Sequence, residues 1–137
     1  VNLAARLESS AKQYGVYNFV GENIYKKTKE IFVFRYLDLV KVRGKNIPVK
    51  VYELVDYKDK VEDKTLELLK IFENGLNFYS EQNWVKASIQ FKKAEELEDH
   101  FTSRNTTPSA VYLKRCTMFI ENPPGKDWDG IWTMISK

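Results

Sequence analysis

The hydrophobic periodicity of this 137-residue chain changes after about residue 57, from the two-residue period of a strand to about 3.6. In the predicted strand at 32–43, apolar and charged residues alternate, as in Val40-Lys41-Val42-Arg43, which is typical of a strand with one buried face. After a dense run of charges at 57–64, apolar residues recur every three or four positions, which is typical of amphipathic helices. The sequence therefore predicts two domains, residues 1–57 and 58–137, within an α+β fold class.

The first domain is predicted to have the element order α-β-α-β-β. The opening helix should run to about Tyr14 and end at Gly15, because glycine accepts the backbone conformation common at helix ends. A helix is expected to cover one face of the sheet. The other predicted elements are a strand at 16–20, a short helix at 21–29 with Ile24 and Tyr25 facing inward, and two strands at 32–43 and 49–55.

The second domain is predicted to be a helical hairpin followed by a third helix from Pro108 to Ile120. An aromatic tail at 127–132 should dock rather than remain in solvent. The first helix of the hairpin presents the stripe Leu68, Leu69, Phe72, Leu76 and Tyr79, and the second presents Trp84, Ala87, Phe91 and Ala94.

The net charge of +3 is unevenly distributed. Residues 1–57 carry ten Lys or Arg against six Asp or Glu, an excess of four, and the remainder carries an excess of one negative charge. This distribution favours an anionic ligand at the first domain. Because the chain has no basic run and no aromatic-basic motif, we expect no nucleic-acid partner.

The single cysteine, Cys116, rules out an internal disulfide and favours a reducing, cytoplasmic location. No apolar run approaches the roughly 18 residues that a membrane-spanning helix needs. The chain does not begin with Met and opens within a helical pattern, so we expect it to be part of a longer protein. The possibility of a membrane anchor upstream of this chain therefore remains open.

Asn2 and Arg6 stand four residues apart in the predicted opening helix, and this spacing places them on one face. An amide beside a guanidinium suits an anionic, hydrogen-bonding ligand such as a nucleoside phosphate. Taken alone, the spacing fits an ordinary solvated helix face better than a binding site.

Two segments of the chain resemble class III adenylate and guanylate cyclases. The run Val1-Asn2-Leu3-Ala4-Ala5-Arg6 resembles the V-N-x-A-x-R motif of that family. The segment 37–54, with Val42-Arg43-Gly44-Lys45 at its centre, resembles the closing strand pair found in bacterial members. The resemblance covers residues 1–57 and implies the C-terminal portion of a ferredoxin-like catalytic domain that works as a homodimer. Such enzymes convert ATP or GTP into the 3′,5′-cyclic nucleotide and pyrophosphate for intracellular signalling, and adenylate cyclase is the preferred assignment.

The resemblance also implies roles for three residues. Asn2 would orient the ribose, and Arg6 would stabilise the charge that develops on the α-phosphate. Arg43 would bind the terminal phosphates of the nucleotide, although a cation that keeps a hairpin edge soluble is the plain alternative.

The family's two metal ions, Mg²⁺ or Mn²⁺, are held by aspartates that precede the opening motif. The residues that recognise the base precede it too. We therefore expect no metal ligand in this chain, Asp38, Asp56 and Asp59 included, and no activity from the chain alone. The choice between ATP and GTP stays open.

The second domain resembles a tetratricopeptide (TPR) repeat, with only one repeat clear. This resemblance implies a helical extension that binds a protein partner or dimerises the protein, which is the main alternative to a purely enzymatic function. Plain core packing explains the same pattern. A third interpretation is a degenerate cyclase remnant that binds nothing. The TPR-like positions are Gly75, Phe78, Ala87, Phe91 and Ala94.

Overall fold

The computed structural model describes residues 3–42 and 46–134, and it confirms the α+β fold class. The described residues form two compact units. The sheet unit comprises the described residues up to 61 together with 129–134, and the helical unit comprises residues 62–128. In chain order the elements are α1 (Leu3–Tyr14), β1 (Phe19–Gly21), α2 (Glu22–Thr28), β2 (Phe32–Val42), β3 (Val49–Tyr57), α3 (Asp63–Ser80), α4 (Trp84–Glu95), α5 (Pro108–Glu121) and β4 (Trp132–Met134).

The sheet unit contains four strands in the spatial order β1-β3-β2-β4. The pairs β1–β3 and β2–β3 are antiparallel, whereas β4 runs parallel to β2, with Trp132 opposite Val40 and Met134 opposite Val42. The predicted α-β-α-β-β order lacks β4, because a three-residue strand shows no periodicity in the sequence. The helical unit is consequently inserted between two strands of the same sheet.

A β-bulge interrupts β2 in its middle. Tyr36 lies opposite Tyr52, but Asp38 lies opposite the adjacent residue Val51, so the register shifts by one residue between them. Without the bulge, Tyr36 and Asp38 would share one sheet face, since side chains alternate along a strand. The bulge turns Asp38 to the other face, where it joins Val51.

Helix α1 covers one face of the sheet, as predicted. Ala11, Tyr14 and Val16 at its C-terminal end are almost fully buried, and the ring of Tyr14 stacks on Phe19 with 5.8 Å between centroids. The helix ends at Tyr14, and Gly15 follows in the left-handed conformation with φ of 76°. The predicted end of the opening helix is therefore confirmed.

Helix α2 contacts the sheet through one aromatic residue. The ring of Tyr25 stacks on Tyr52 with 4.1 Å between centroids and 3° between planes, as expected of an inward-facing residue. The prediction that Ile24 also faces inward is wrong, since this side chain is 46% exposed. Consecutive residues point about 100° apart on a helix, so a seven-residue helix that rests on Tyr25 directs Ile24 towards solvent.

The helical unit has a core of its own between α3, α4 and α5. Helices α3 and α4 cross closely at Gly75, where a Cβ atom would lie only 2.7 Å from the Phe91 ring. Trp128 extends the core, since its ring lies 5.3 Å from both Tyr79 and Trp84, centroid to centroid. The buried members of this core are Leu68, Phe72, Tyr79, Trp84, Ala87, Phe91, Ala94, Tyr112 and Cys116.

Candidate functional site

The C-terminal end of α1 is closed by two local backbone hydrogen bonds. The backbone N–H of Gly15 donates to Lys12 O at 3.2 Å, and that of Val16 donates to Ala11 O at 3.0 Å. These bonds turn the chain sharply after the helix, so that Val16 is buried and Phe19 can enter the sheet. The chain therefore passes from α1 to β1 through only four residues, and the stacking of Tyr14 on Phe19 packs the C-terminal end of α1 against that strand.

A buried hydrogen bond joins α1 to β2. The Tyr14 hydroxyl donates to Asp38 Oδ2 at 2.5 Å, and the backbone N–H of Leu39 donates to Asp38 Oδ1 at 2.9 Å. Tyr14 is 1% exposed and Asp38 is 2% exposed. A charge-assisted hydrogen bond is strong in such a low-dielectric environment. The helix and the strand are thus held in one register by a carboxylate that the bulge aims at the helix.

A second contact joins α1 to β4. The Ser10 hydroxyl approaches Met134 Sδ at 3.8 Å, and Met134 is almost fully buried. Met134 lies opposite Val42, the last residue of β2. The end of β2 that leads to Arg43 is therefore paired with a strand that α1 also contacts.

Of the three residues predicted to form the site, the structure describes only the backbone of one. Asn2 and Arg43 lie outside the described residues. The backbone of Arg6 lies within α1, but its side chain is not among the groups that the structure describes. What the structure does establish is that α1, which contains Arg6, packs against the strand that precedes Arg43.

The same sheet face contains a buried ion pair that the sequence analysis does not predict. Arg35 of β2 lies opposite Glu53 of β3, and its Nε and Nη2 atoms donate to Glu53 Oε1 at 2.9 and 2.7 Å. Both residues are 6% exposed. The sequence signal for this pair is a positive charge in one strand and a negative charge in the other, each flanked by apolar and aromatic residues. A shift of β2 relative to β3 would separate the two side chains and leave each charge buried without its partner, which is energetically costly. The pair therefore constrains how β2 and β3 align.

The opposite sheet face, beneath α2, is aromatic. Tyr36 packs edge-on against Tyr52, with 5.5 Å between centroids. Burial, and then the negative charge of Asp38, raise the pKa of Tyr36 to about 12; Tyr52 and Glu22 add to the effect. A phenol with this pKa stays protonated at neutral pH, so this side chain is unsuited to act as a general base.

Neither a metal site nor a membrane span is found in the part of the chain that the structure describes. Within residues 3–42 and 46–134, no three His, Cys, Asp or Glu residues are grouped so as to hold a metal ion. None of the described helices is long and apolar enough to cross a membrane.

The chain is similar to part of a known enzyme. Over 128 residues it is 32% identical to the terminal-differentiation-specific adenylate cyclase of Dictyostelium discoideum, and the match covers 88% of the chain. The chain spans 6% of the length of that relative, which is not a bacterial protein. No protein-family model matches the chain, and no solved structure matches it. Most of the chain is thus related in sequence to one region of an adenylate cyclase.

The similarity is not confined to the sheet unit. Residues 1–61 and 129–137 make up about half of the chain, so a match over 88% of it extends into residues 62–128. The helical unit is therefore included in the region that is similar to the cyclase.

Proposed function

We propose that the protein is the C-terminal part of a class III nucleotidyl cyclase that converts ATP into 3′,5′-cyclic AMP and pyrophosphate. The observation that carries the proposal is the Tyr14–Asp38 hydrogen bond, which joins the helix containing Arg6 to the strand that precedes Arg43. The two arginines are 37 residues apart in sequence, yet the helix that contains Arg6 is hydrogen-bonded to β2, the strand that ends one residue before Arg43. The similarity to an adenylate cyclase over 88% of the chain supports the same function.

In this proposal three side chains position the nucleotide and stabilise charge. Asn2 hydrogen-bonds the ribose and orients its 3′-oxygen towards the α-phosphate. Arg6 stabilises the negative charge that grows on the α-phosphate as the 3′-oxygen attacks. Arg43 binds the terminal phosphates, which leave as pyrophosphate. Positioning and charge stabilisation account for most of the catalysis in such phosphoryl transfers.

The remaining parts of the catalytic site belong, in this proposal, to upstream residues of a longer protein. The described residues offer no fitting set of metal ligands, so we assign the aspartates that would hold Mg²⁺ or Mn²⁺ to that upstream region. Such ions would neutralise charge on the phosphates. The chain alone is then inactive, and the full-length protein acts as a homodimer in the cytoplasm.

The products of the full-length protein test the proposal. The protein is incubated with Mg²⁺ or Mn²⁺ and either ATP or GTP labelled on the α-phosphate. We expect cyclic nucleotide and pyrophosphate in equal amounts, with ATP as the preferred substrate. Release of ADP and inorganic phosphate, or no product with either nucleotide and either metal, would contradict the proposal.

A protein-interaction function for the helical unit is the second candidate. The close crossing at Gly75 and the buried Phe91 are compatible with a TPR-like repeat. Val85 and Ile89, one turn apart on α4, are 62% and 50% exposed and together form a small apolar patch on that helix. If this face mediates self-association, Ile89→Lys should lower the sedimentation coefficient of the full-length protein, while Lys92→Ala on the same helix should not. Identical sedimentation of both variants and the wild type would exclude self-association through this face.

A further inference from the structure

We propose that Tyr14 and Asp38 are positioning residues: their buried hydrogen bond sets the placement of the helix that contains Arg6 relative to the end of β2. This inference rests on the proposed cyclase function and assigns a role to two residues that do not touch the nucleotide in it. Four features of the sheet unit support it.

The first feature is the location of the contact along α1 and β2. Tyr14 follows Arg6 by eight residues, which corresponds to about 12 Å along a helix. Asp38 precedes Val42, the last residue of β2, by four residues, which corresponds to about 13 Å along a strand. The bond thus joins the helix that contains Arg6 to the last part of β2. A change in the angle between the two elements at this bond would displace the backbone of Arg6 relative to the end of β2.

The second feature is the bulge in β2. Asp38 reaches α1 only because the register shift after Tyr36 turns it to that face of the sheet. Bulges commonly re-aim a side chain, and here the side chain that is re-aimed is a carboxylate. Burying a carboxylate is costly, so an apolar residue at position 38 would suit a purely structural role better.

The third feature is the rigidity of the acceptor. The backbone N–H of Leu39 holds Asp38 Oδ1, which leaves Oδ2 directed at the Tyr14 hydroxyl. Both side chains are at least 98% buried, so water cannot easily replace either bond.

The fourth feature is a row of residues on α1. Ser10 and Tyr14 stand four residues apart on α1, and residues four apart lie in one row of a helix surface. They contact β4 and β2, respectively, so this row attaches α1 to two strands of the sheet.

The test compares variants of the full-length protein. Tyr14→Phe keeps the ring and removes the hydroxyl, whereas Asp38→Asn keeps a hydrogen bond to Tyr14, because its amide group can donate to the phenol oxygen. Tyr57→Phe, at an exposed position of β3, is the matched control. Since a displacement of about 1 Å can cost on the order of a hundredfold in rate, we expect Tyr14→Phe to lower kcat about 10- to 100-fold. KM should change less than about threefold, and Asp38→Asn and Tyr57→Phe should keep kcat within about fivefold of the wild type.

Several outcomes would overturn the inference. A kcat for Tyr14→Phe within twofold of the wild type, measured well below its melting temperature, would mean that the bond is only structural. An Asp38→Asn variant as impaired as Tyr14→Phe would show that the charge, rather than the bond, matters.

Amide hydrogen exchange of α1 separates this inference from the proposed function. If the wild-type protein forms no cyclic nucleotide, the proposed function fails. In that case, amide hydrogen exchange of α1 still decides whether the Tyr14–Asp38 hydrogen bond positions the helix. Tyr14→Phe should accelerate exchange about tenfold in α1 and leave α3 unchanged. Equal exchange in the wild type and the variant would reject the positioning role.

Discussion

At the scale of single residues, the environment of a side chain decides its chemistry more than its type does. Tyr36 and Tyr57 are both tyrosines of the sheet, but Tyr57 is 50% exposed, whereas Tyr36 has a pKa raised to about 12. The sequence shows only that both positions are aromatic. The raised pKa of Tyr36 arises first from its burial and then from the negative charge of Asp38, whose position depends on the bulge.

The raised pKa of Tyr36 predicts a loss of stability at high pH. An unfolded tyrosine ionises near pH 10, so between pH 10 and 12 the unfolded state loses a proton that the folded state retains. The contribution of Tyr36 is therefore fully present below pH 10 and is lost as the pH rises towards 12. Because Tyr36 is only partly buried, solvent weakens the effect, and between pH 9 and 11 the wild type should lose up to about 1 kcal/mol more unfolding free energy than Tyr36→Phe.

Urea unfolding of the chain at the two pH values measures this difference. Tyr57→Phe is the control and should follow the wild type. Equal losses in the wild type and Tyr36→Phe would show that Tyr36 titrates normally.

At the scale of elements, much of the secondary structure follows from the sequence. The predicted strand at 32–43 and helix from Pro108 agree closely with β2 and α5, because their patterns are long and their ends carry turn or capping residues. The bulge in β2, the Arg35–Glu53 pair and β4 were not predictable. Each depends on which residue of another strand lies opposite, and this information is absent from a local pattern.

The crossing of α3 and α4 gives a prediction at the same scale. Ala is a better helix former than Gly by about 1 kcal/mol, so Gly75→Ala would stabilise an exposed helix. Here the added Cβ would meet the Phe91 ring, which is fully buried and stacks on Tyr112 with 5.0 Å between centroids. Overpacking of this kind costs roughly 1–3 kcal/mol, so we expect a net loss of stability.

Thermal unfolding of the helical unit tests the crossing. Gly75→Ala should lower the melting temperature, while Asn74→Ala, on the exposed side of the same helix, should not. Phe91→Leu, which removes ring atoms at the contact, should reduce the effect of Gly75→Ala when the two are combined. A melting temperature for Gly75→Ala at or above that of the wild type would mean that α3 and α4 accommodate the added methyl group without a loss of stability.

At the scale of the whole molecule, the tail returns to the sheet after the helical unit. Strand β4 pairs with the last three residues of β2, and its Met134 contacts Ser10 of α1. The helical unit is therefore not a simple appendage, since the chain on both sides of it belongs to one sheet. Removing everything after residue 61 would take away a strand of the sheet unit as well as the helices.

Cyclic nucleotide formation by Arg6→Ala in the full-length protein is the most direct test of the proposed function. Because Arg6 is proposed to stabilise developing charge, its loss should lower kcat by about 10²–10³-fold without unfolding the protein. The matched control is Lys12→Ala, which removes an exposed cation from the same helix and should leave kcat within about twofold of the wild type. A folded Arg6→Ala variant with activity within threefold of the wild type would contradict the account.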